Sequence, residues 1–330
     1  MAPGTTDMTS PRTRTVSLLV SVLAIALLCS GSEIRASRKL EAGSQKPEAG
    51  NRKPQAGNRK PEAGSRKPVA QPRRIISLIP AVTEMLFALG AGDRVVAVSS
   101  FDKYPPEVEK LQRVGALLDP DLERILSLRP DLVAVYGSQE DLRQQLERSQ
   151  IPVYIYRHAG LADVSTTIES LGARIGQEAR ATQLTATIQQ QLAAVRQRVA
   201  GQPRPRTLVV FERESLTLRG IYASGGYGFS HDMVSAAGGD NVFADVRQQA
   251  VQATTELIIA RRPDVILELR ADPMTTANQQ RELATWNRLS SIPAVRTSRV
   301  YMIADPRTVV PGPRVGEGVA LIADLLHMRR

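Results

Sequence analysis

Apolar and polar positions change their period repeatedly along this chain, and from Arg73 onward the changes are regular. Short runs of β-branched and aliphatic residues at Ile75–Leu78, Val95–Val98, Leu132–Tyr136 and Val153–Tyr156 predict strands, and the segments between them carry apolar residues at helical spacing. Such alternation predicts an α/β lobe with a largely parallel sheet. The scheme returns at Thr207–Phe211, Val265–Leu269 and Val300–Ile303, which predicts a second lobe of the same class. Between them, Asp163 to Val199 is a helical pattern rich in Ala, Gln, Leu and Arg, followed by Gly201 and Pro203. A single helix of ~35 residues would span roughly 50 Å, a strut and not a hinge. The expected organisation is a first lobe over 73–162, a linking helix over 163–201 and a second lobe over 202–330.

An internal echo supports the count of two lobes. Leu122-Glu123-Arg124-Ile125-Leu126 with Arg129-Pro130-Asp131-Leu132-Val133 resembles Thr255-Glu256-Leu257-Ile258-Ile259 with Arg262-Pro263-Asp264-Val265-Ile266, at a constant offset of 133 positions (256 − 123). Each unit predicts a helix that starts in an acidic turn, stops before proline and gives way to a buried strand opened by aspartate. Glu123 and Glu256 are then equivalent, exposed positions on the two lobes.

The N-terminal part follows other rules. Arg12 and Arg14 precede an apolar run from Val16 to Leu28, with Ser30, Gly31 and Ser32 behind it, which predicts a secretory signal over residues 1–31. Cys29 admits a lipid anchor, although Leu28 stands where a small residue is wanted; ordinary cleavage is the other alternative. Residues 32–72 include five tandem seven-residue units, RKLEAGS, QKPEAGN, RKPQAGN, RKPEAGS and RKPVAQP. With Pro and Gly recurring and almost no large apolar side chain, this tract predicts a disordered basic linker. Both features predict delivery to the periplasm or the outer face of the cytoplasmic membrane.

Charge changes the picture only once it is divided. Of the formal net +10, residues 1–72 hold twelve basic against five acidic residues, a net +7, which leaves +3 for the rest. No basic cluster interleaved with aromatics exists in the body, so composition argues against a nucleic-acid partner. A single cysteine excludes a disulfide framework and a cysteine-ligated zinc site there.

The ordered segments Arg74-Ile75-Ile76-Ser77-Leu78-Ile79-Pro80-Ala81-Val82-Thr83-Glu84, Val98-Ser99-Ser100-Phe101-Asp102-Lys103-Tyr104-Pro105-Pro106, Gly238-Gly239-Asp240-Asn241-Val242-Phe243 and Pro313-Arg314, with the two repeats, resemble the helical-backbone binding proteins that serve ABC importers of cobalamin, haem and ferric siderophores. The resemblance covers nearly all of 73–328. It implies two Rossmann-like lobes joined by one long helix, a monomer without covalently bound cofactor or catalysis, and a permease with its ATPase as partners. The cargo it implies is a metal chelate, a corrinoid, haem or ferric siderophore, held between the lobes. Carried over from cobalamin-binding members, the ligand contacts would be Ala81, Phe101, Tyr136, Tyr222, Asp305 and Arg307, and the permease contacts Glu123 and Glu256. Leu117 and Ala250 stand where those members have tryptophans, Tyr136 replaces another, and an expected arginine falls at Val309 or Val310.

Other candidates come from the residues themselves. Tyr222, Tyr227 and Phe229 share a stretch with Gly220, Gly225, Gly226 and Gly228, which predicts a flexible loop able to approach a flat ligand. His158 and His231 are candidate axial metal ligands; a zinc or manganese site would require His158, His231 and His327 to converge with carboxylates. Ser224 and Ser230 near His231 and Asp232 lack a nucleophile-elbow sequence. Trp286 lies in a surface-helix pattern with a structural role. The alternative to transport is an envelope-anchored sensor or scaffold.

Overall fold

The computed structural model describes residues 71–270 and 272–328. The predicted signal, Cys29 and all but the end of the repetitive tract lie outside them. Two sheets form, each around central strands that are mostly apolar because both of their faces are buried, as in Leu132–Tyr136 and Leu208–Phe211.

In the first sheet all pairs are parallel, in the order β3-β2-β1-β4-β5. The strands are β1 (Ile75–Ser77), β2 (Val95–Val98), β3 (Gln112–Arg113), β4 (Leu132–Tyr136) and β5 (Val153–Tyr156). Ile75 and Ile76 show why the run is continuous: they enter different clusters on opposite faces, and both are fully buried. Helices α1 (Pro80–Ala88), α2 (Leu122–Ser127) and α3 (Glu140–Arg148) connect them.

The second sheet has β6 (Arg206–Glu212), β7 (Ile221–Ser224), β8 (Asp240–Asn241), β9 (Ala250–Ala253), β10 (Val265–Leu269) and β11 (Val300–Ile303). Their order is β11-β10-β6-β7-β9, with β8 on β6. Pairing is parallel except at β7, which runs antiparallel to β6 and β9. Helices α6 (Phe229–Ala236), α7 (Thr255–Arg261), α8 (Thr276–Ala284), α9 (Pro293–Arg296) and α10 (Val315–His327) complete the lobe.

The connection corrects one expected boundary. Residues 163–201 are not a single helix: α4 (Ala162–Ile175) ends at Gly176, and α5 (Glu178–Val199) starts two residues later. Gly176 takes φ +70°, and both its N–H and that of Gln177 return to the Gly172 carbonyl, a left-handed cap that stops a helix. The long joining helix is therefore α5, 22 residues or about 33 Å. Its buried side chains Ile188, Leu192, Val195 and Val199 share one apolar cluster with Leu171 and Ile175 of α4, Val319 and Ile322 of α10, and residues of both sheets. That continuous core stiffens the junction.

The echo in the sequence is realised atom by atom. Asp121 and Thr254 cap α2 and α7 by accepting the N–H groups of Arg124 and Leu257. Arg129 and Arg262 both turn the chain at left-handed φ, 45° and 48°. Arg74 and Arg206 then bind the last carbonyls of those helices, while Asp131 and Asp264 accept the backbone N–H groups of the same two arginines.

Candidate functional site

In both lobes the segments leaving the carboxyl ends of the parallel strands face the other lobe, the side on which open α/β sheets bind ligands. Three contacts mark one stretch of the seam. Arg314, just before α10, forks onto Glu84 of α1, with Nε donating to Oε2 at 2.9 Å and Nη2 to Oε1 at 2.6 Å. The same guanidinium lies 3.7 Å from the ring centroid of Tyr104, in the segment after β2. Lys103 pairs with Asp272, which follows β10. Burial raises the Glu84 carboxyl above its ordinary value, and the hydrogen bond and charge of Arg314 only partly offset it.

Along the first-lobe edge, Asp102 is 2% exposed. Its Oδ2 accepts the N–H and hydroxyl of Ser99, while Oδ1 has no hydrogen-bond partner among the described residues. Burial, opposed by the hydrogen bonds from Ser99 and Thr83, raises its pKa to about 6. Tyr136 ends β4, half-buried, and burial followed by the Asp102 charge pushes its hydroxyl up. Beyond it come Tyr156, at the end of β5, and His158. Because the folded state favours protonated Asp102, its contribution to stability is fully present below pH 3.8 and is lost as pH rises through about 6. That loss is about 3 kcal/mol at 1.36 kcal/mol per pKa unit. Asp102→Asn should remove it, so the wild-type minus variant difference in urea-unfolding free energy should fall by roughly that amount between pH 4 and pH 7. A difference that does not change with pH would refute the assignment.

On the second-lobe edge, Asp305 follows β11 and caps a short 3-10 turn. Arg307 binds both its oxygens and also reaches Glu317 at 2.9 Å. The Arg307 hydrogen bond, against some burial, holds the Asp305 carboxyl below its usual range. Tyr222 stands in β7, registered between Glu212 of β6 and Gln252 of β9.

The residues expected to contact ligand thus divide. Phe101 and Tyr136 border the first-lobe edge, and Asp305 with Arg307 the second. Ala81 is 3% exposed, buried in the core as the second residue of α1. The glycine-rich stretch is not a flexible loop as expected: Ile221–Ser224 is strand β7, and Phe229 is buried at the start of α6. Gly225 and Gly226 press against the Gln248 and Ala244 carbonyls, where a β-carbon would stand 2.1 and 2.0 Å away. Of the positions where tryptophans were expected, Leu117 is half-buried and Ala250 buried; Val309 and Val310, where an arginine was expected, are half-buried. Trp286 is not on the surface but fully buried, donating to Glu268, because Arg213 and Glu268 build a polar core beneath it.

The histidines do not converge. His231 Nδ1 lies 3.4 Å from the Asn241 amide, and His327 Nε2 lies 3.0 Å from the Ala237 carbonyl oxygen. Among the described residues no group of three or more His, Cys, Asp or Glu could hold a metal ion. Asp232 accepts the Leu161 N–H, and the Ser224 hydroxyl donates to the Gly225 carbonyl. Glu84, Arg314, Tyr104 and Tyr156 were not singled out from the sequence. The signal available for the first two was that they stand at the ends of distinctive segments with opposite charge.

Glu123 and Glu256 are both exposed, each the second residue of its helix. Hydrogen bonds from its own N–H and from Thr254 and Thr255 hold the Glu256 carboxyl below its usual range. No helix among the described residues is long and apolar enough to cross a membrane.

Residues 75–306 match the family model described as periplasmic binding protein. An uncharacterised ABC transporter substrate-binding lipoprotein of Bacillus subtilis is 31% identical over 265 residues, which is 77% of this chain and 80% of the relative. A vitamin B12-binding protein of Yersinia pestis is 31% identical over 196 residues, 59% of this chain and 68% of the relative. Among solved structures, a periplasmic haem-binding protein from Roseiflexus superposes with a TM-score of 0.67 at 26% identity, over 77% of this chain and 98% of the other.

Proposed function

The chain belongs to the periplasmic binding protein family, and from that premise we propose that it captures a corrinoid or iron chelate between its lobes, outside the cytoplasmic membrane, and hands it to the permease of an ABC importer. Relatives named for vitamin B12 and for haem support this ligand class. Phe101, Tyr136, Tyr222, Asp305 and Arg307 are the proposed contacts, with Ala81 acting through packing. Flat aromatic area with a few oriented polar groups suits a large, mostly apolar chelate.

The observation that carries the delivery step is the duplication. It sets Glu123 and Glu256 on matching acidic helix starts, exposed, one per lobe. Two carboxylates held apart by a stiff α5 make a two-point dock for basic residues of a membrane partner. Reversing both charges, Glu123→Lys with Glu256→Lys, should lower cellular uptake of cyanocobalamin, haem or a ferric hydroxamate at least tenfold. Affinity of the purified variant for the same compound should stay within about twofold, since neither residue lies on the seam. Undiminished uptake would sink the docking assignment; binding of none of the three compounds would sink the ligand class.

A further inference from the structure

Where the chain leaves the first lobe, the two lobes close over polar side chains without hydrogen-bonding them. His158 stands in the segment between β5 and α4, its ring parallel to Tyr156 of β5 at 6.1 Å and edge-on, at 5.3 Å, to Phe229 at the start of α6 in the other lobe. Both of its ring nitrogens are buried with no partner among the described residues, and the same holds for the Tyr156 hydroxyl and for both amide atoms of Gln249 in the second lobe. Tyr156 is 5% and Gln249 8% exposed. The lobes approach closely here: the Ala159 carbonyl oxygen and the Gln249 Cγ each lie 3.2 Å from where a β-carbon on Gly228 would stand. The charged groups packed around the imidazole bind elsewhere. Asp163 of α4 accepts the N–H groups of Ala159 and Gly160, and Asp232 of α6 accepts the Leu161 N–H at 2.8 Å, a hydrogen bond that itself crosses the seam. Arg157 lies over Gly137, His231 of α6 turns to the Asn241 amide, and Tyr136 of β4 meets Tyr156 edge-on.

We propose that this end of the seam is an acid-opened latch: the lobes close only on a neutral His158, and a proton taken up by its imidazole drives them apart. A buried polar group without a hydrogen bond costs free energy, and a buried unpaired charge costs far more. Closure strips water from imidazole, phenol and amide and pairs none of them. Such a contact tolerates a neutral ring and rejects an imidazolium, which has two N–H donors and here no acceptor. Parting the lobes returns the ring to water. Burial accordingly lowers the His158 pKa from the ordinary 6.5 to about 4, against a smaller upward pull from Asp163. The closed form therefore binds fewer protons than the open one, so closure is fully supported above pH 6.5 and loses support as pH falls toward 4. With those two values the ratio of closed to open lobes should fall about tenfold between pH 7.5 and pH 5.5. Asp102 titrates over part of the same range, so the effect is read as a difference from variants that keep Asp102. If the cargo lies between the lobes, as proposed above, acid outside the cytoplasmic membrane loosens the grip on it whatever its chemistry. That consequence rests on the capture reading; the latch itself does not.

The test is amide hydrogen exchange of the full chain without ligand at pH 7.5, 6.5 and 5.5, each rate referred to the intrinsic rate at that pH, for wild type, His158→Phe and His158→Gln. The Leu161 N–H, bonded across the seam to Asp232, reports the parting of the lobes. Between pH 7.5 and pH 5.5 its protection should fall about tenfold more in wild type than in either variant. His158→Phe keeps the aromatic file and buries no polar atom, so it should also be the best protected of the three at pH 7.5. His158→Gln keeps a polar side chain but has no proton to gain, which separates titration from packing: a purely structural role would change protection by the same factor at every pH. Equal pH dependence in wild type and both variants would overturn the latch. So would a His158 ring signal that titrates near pH 6.5 in nuclear magnetic resonance spectra while the Leu161 amide stays protected. No ligand enters the measurement, so either result would leave chelate capture standing, and failure to bind any chelate would leave the latch standing.

Discussion

Replacing Arg213 with methionine should destabilise the second lobe by about 3–5 kcal/mol, because breaking a buried ion pair strands its partner's charge. Arg213 and Glu268 are both 0% exposed, joined at 2.6 Å, and Arg213 also pairs with Glu282 at 2.9 Å. Methionine fills the volume but supplies no charge and no donors, so it also abandons the Thr217 and Glu282 carbonyls that Arg213 binds. Glu268 would keep Arg270 and the Trp286 indole N–H, which limits the loss to a single deleted cation. Burial pushes the Glu282 carboxyl up, but hydrogen bonds from Ser215 and Leu216 with the Arg213 charge outweigh it, and the net pKa lies below 4.5. Its share of stability is therefore present above pH 4.5 and lost as pH falls, and the variant should show a shallower acid limb. Trp286, the single tryptophan, stands 5.9 Å from the Arg213 guanidinium and reports the site directly. Urea unfolding followed by its fluorescence should show the shift at pH 7. A loss below 1 kcal/mol would mean that the network does not stabilise the lobe.

Much of the fold was legible because parallel strands buried on both faces leave unbroken apolar runs, as at Leu132–Tyr136 and Leu208–Phe211. The repeat at a constant offset was legible too, since its cap, its acidic turn and its Pro-Asp step are all local. What escaped were elements whose pairing is tertiary. Ile221–Ser224 and Ala250–Ala253 carry little apolar length of their own and become strands by pairing with each other, antiparallel at the sheet's edge. Gly176 ended a helix inside a run whose composition favours helix on both sides, because a left-handed glycine cap depends on backbone geometry that periodicity does not register. At the seam, Glu84 and Arg314 lie 230 residues apart, so their pairing has no sequence spacing to betray it. His158 was visible as a residue; that its ring nitrogens are buried with no partner among the described residues is a property of packing. Trp286 sits among Glu282, Asn287 and Arg288, and the polar neighbours that suggested a surface helix flank a buried one.

Arg314→Met should cost about 3–5 kcal/mol at pH 7 for the same physical reason, again with a cost that grows as pH rises, and with a consequence for the seam. Glu84 is 5% exposed, and among the described residues its carboxylate is matched by the Arg314 fork alone, so deleting the cation leaves an ion where burial already disfavours one. The folded-state pKa of Glu84, raised in the wild type, should rise further. Protonation then relieves the defect: the variant should lie closest to wild type below pH 4.5, and the gap should widen as pH rises through the new pKa. Glu84→Gln combined with Arg314→Met should recover most of the loss at neutral pH, since an amide is cheaper to bury than an unpaired carboxylate. A double-mutant cycle at pH 4 and pH 7 isolates the pair, and its coupling energy should be larger at pH 7. Because the fork joins α1 of one lobe to the start of α10 in the other, with Tyr104 stacked on its guanidinium, its removal should also loosen the lobes. Faster amide hydrogen exchange at Tyr104 and around Gly312, in either single variant, is the expected sign. A coupling energy that stays the same at both pH values would mean that Glu84 is not held as a charged group by Arg314.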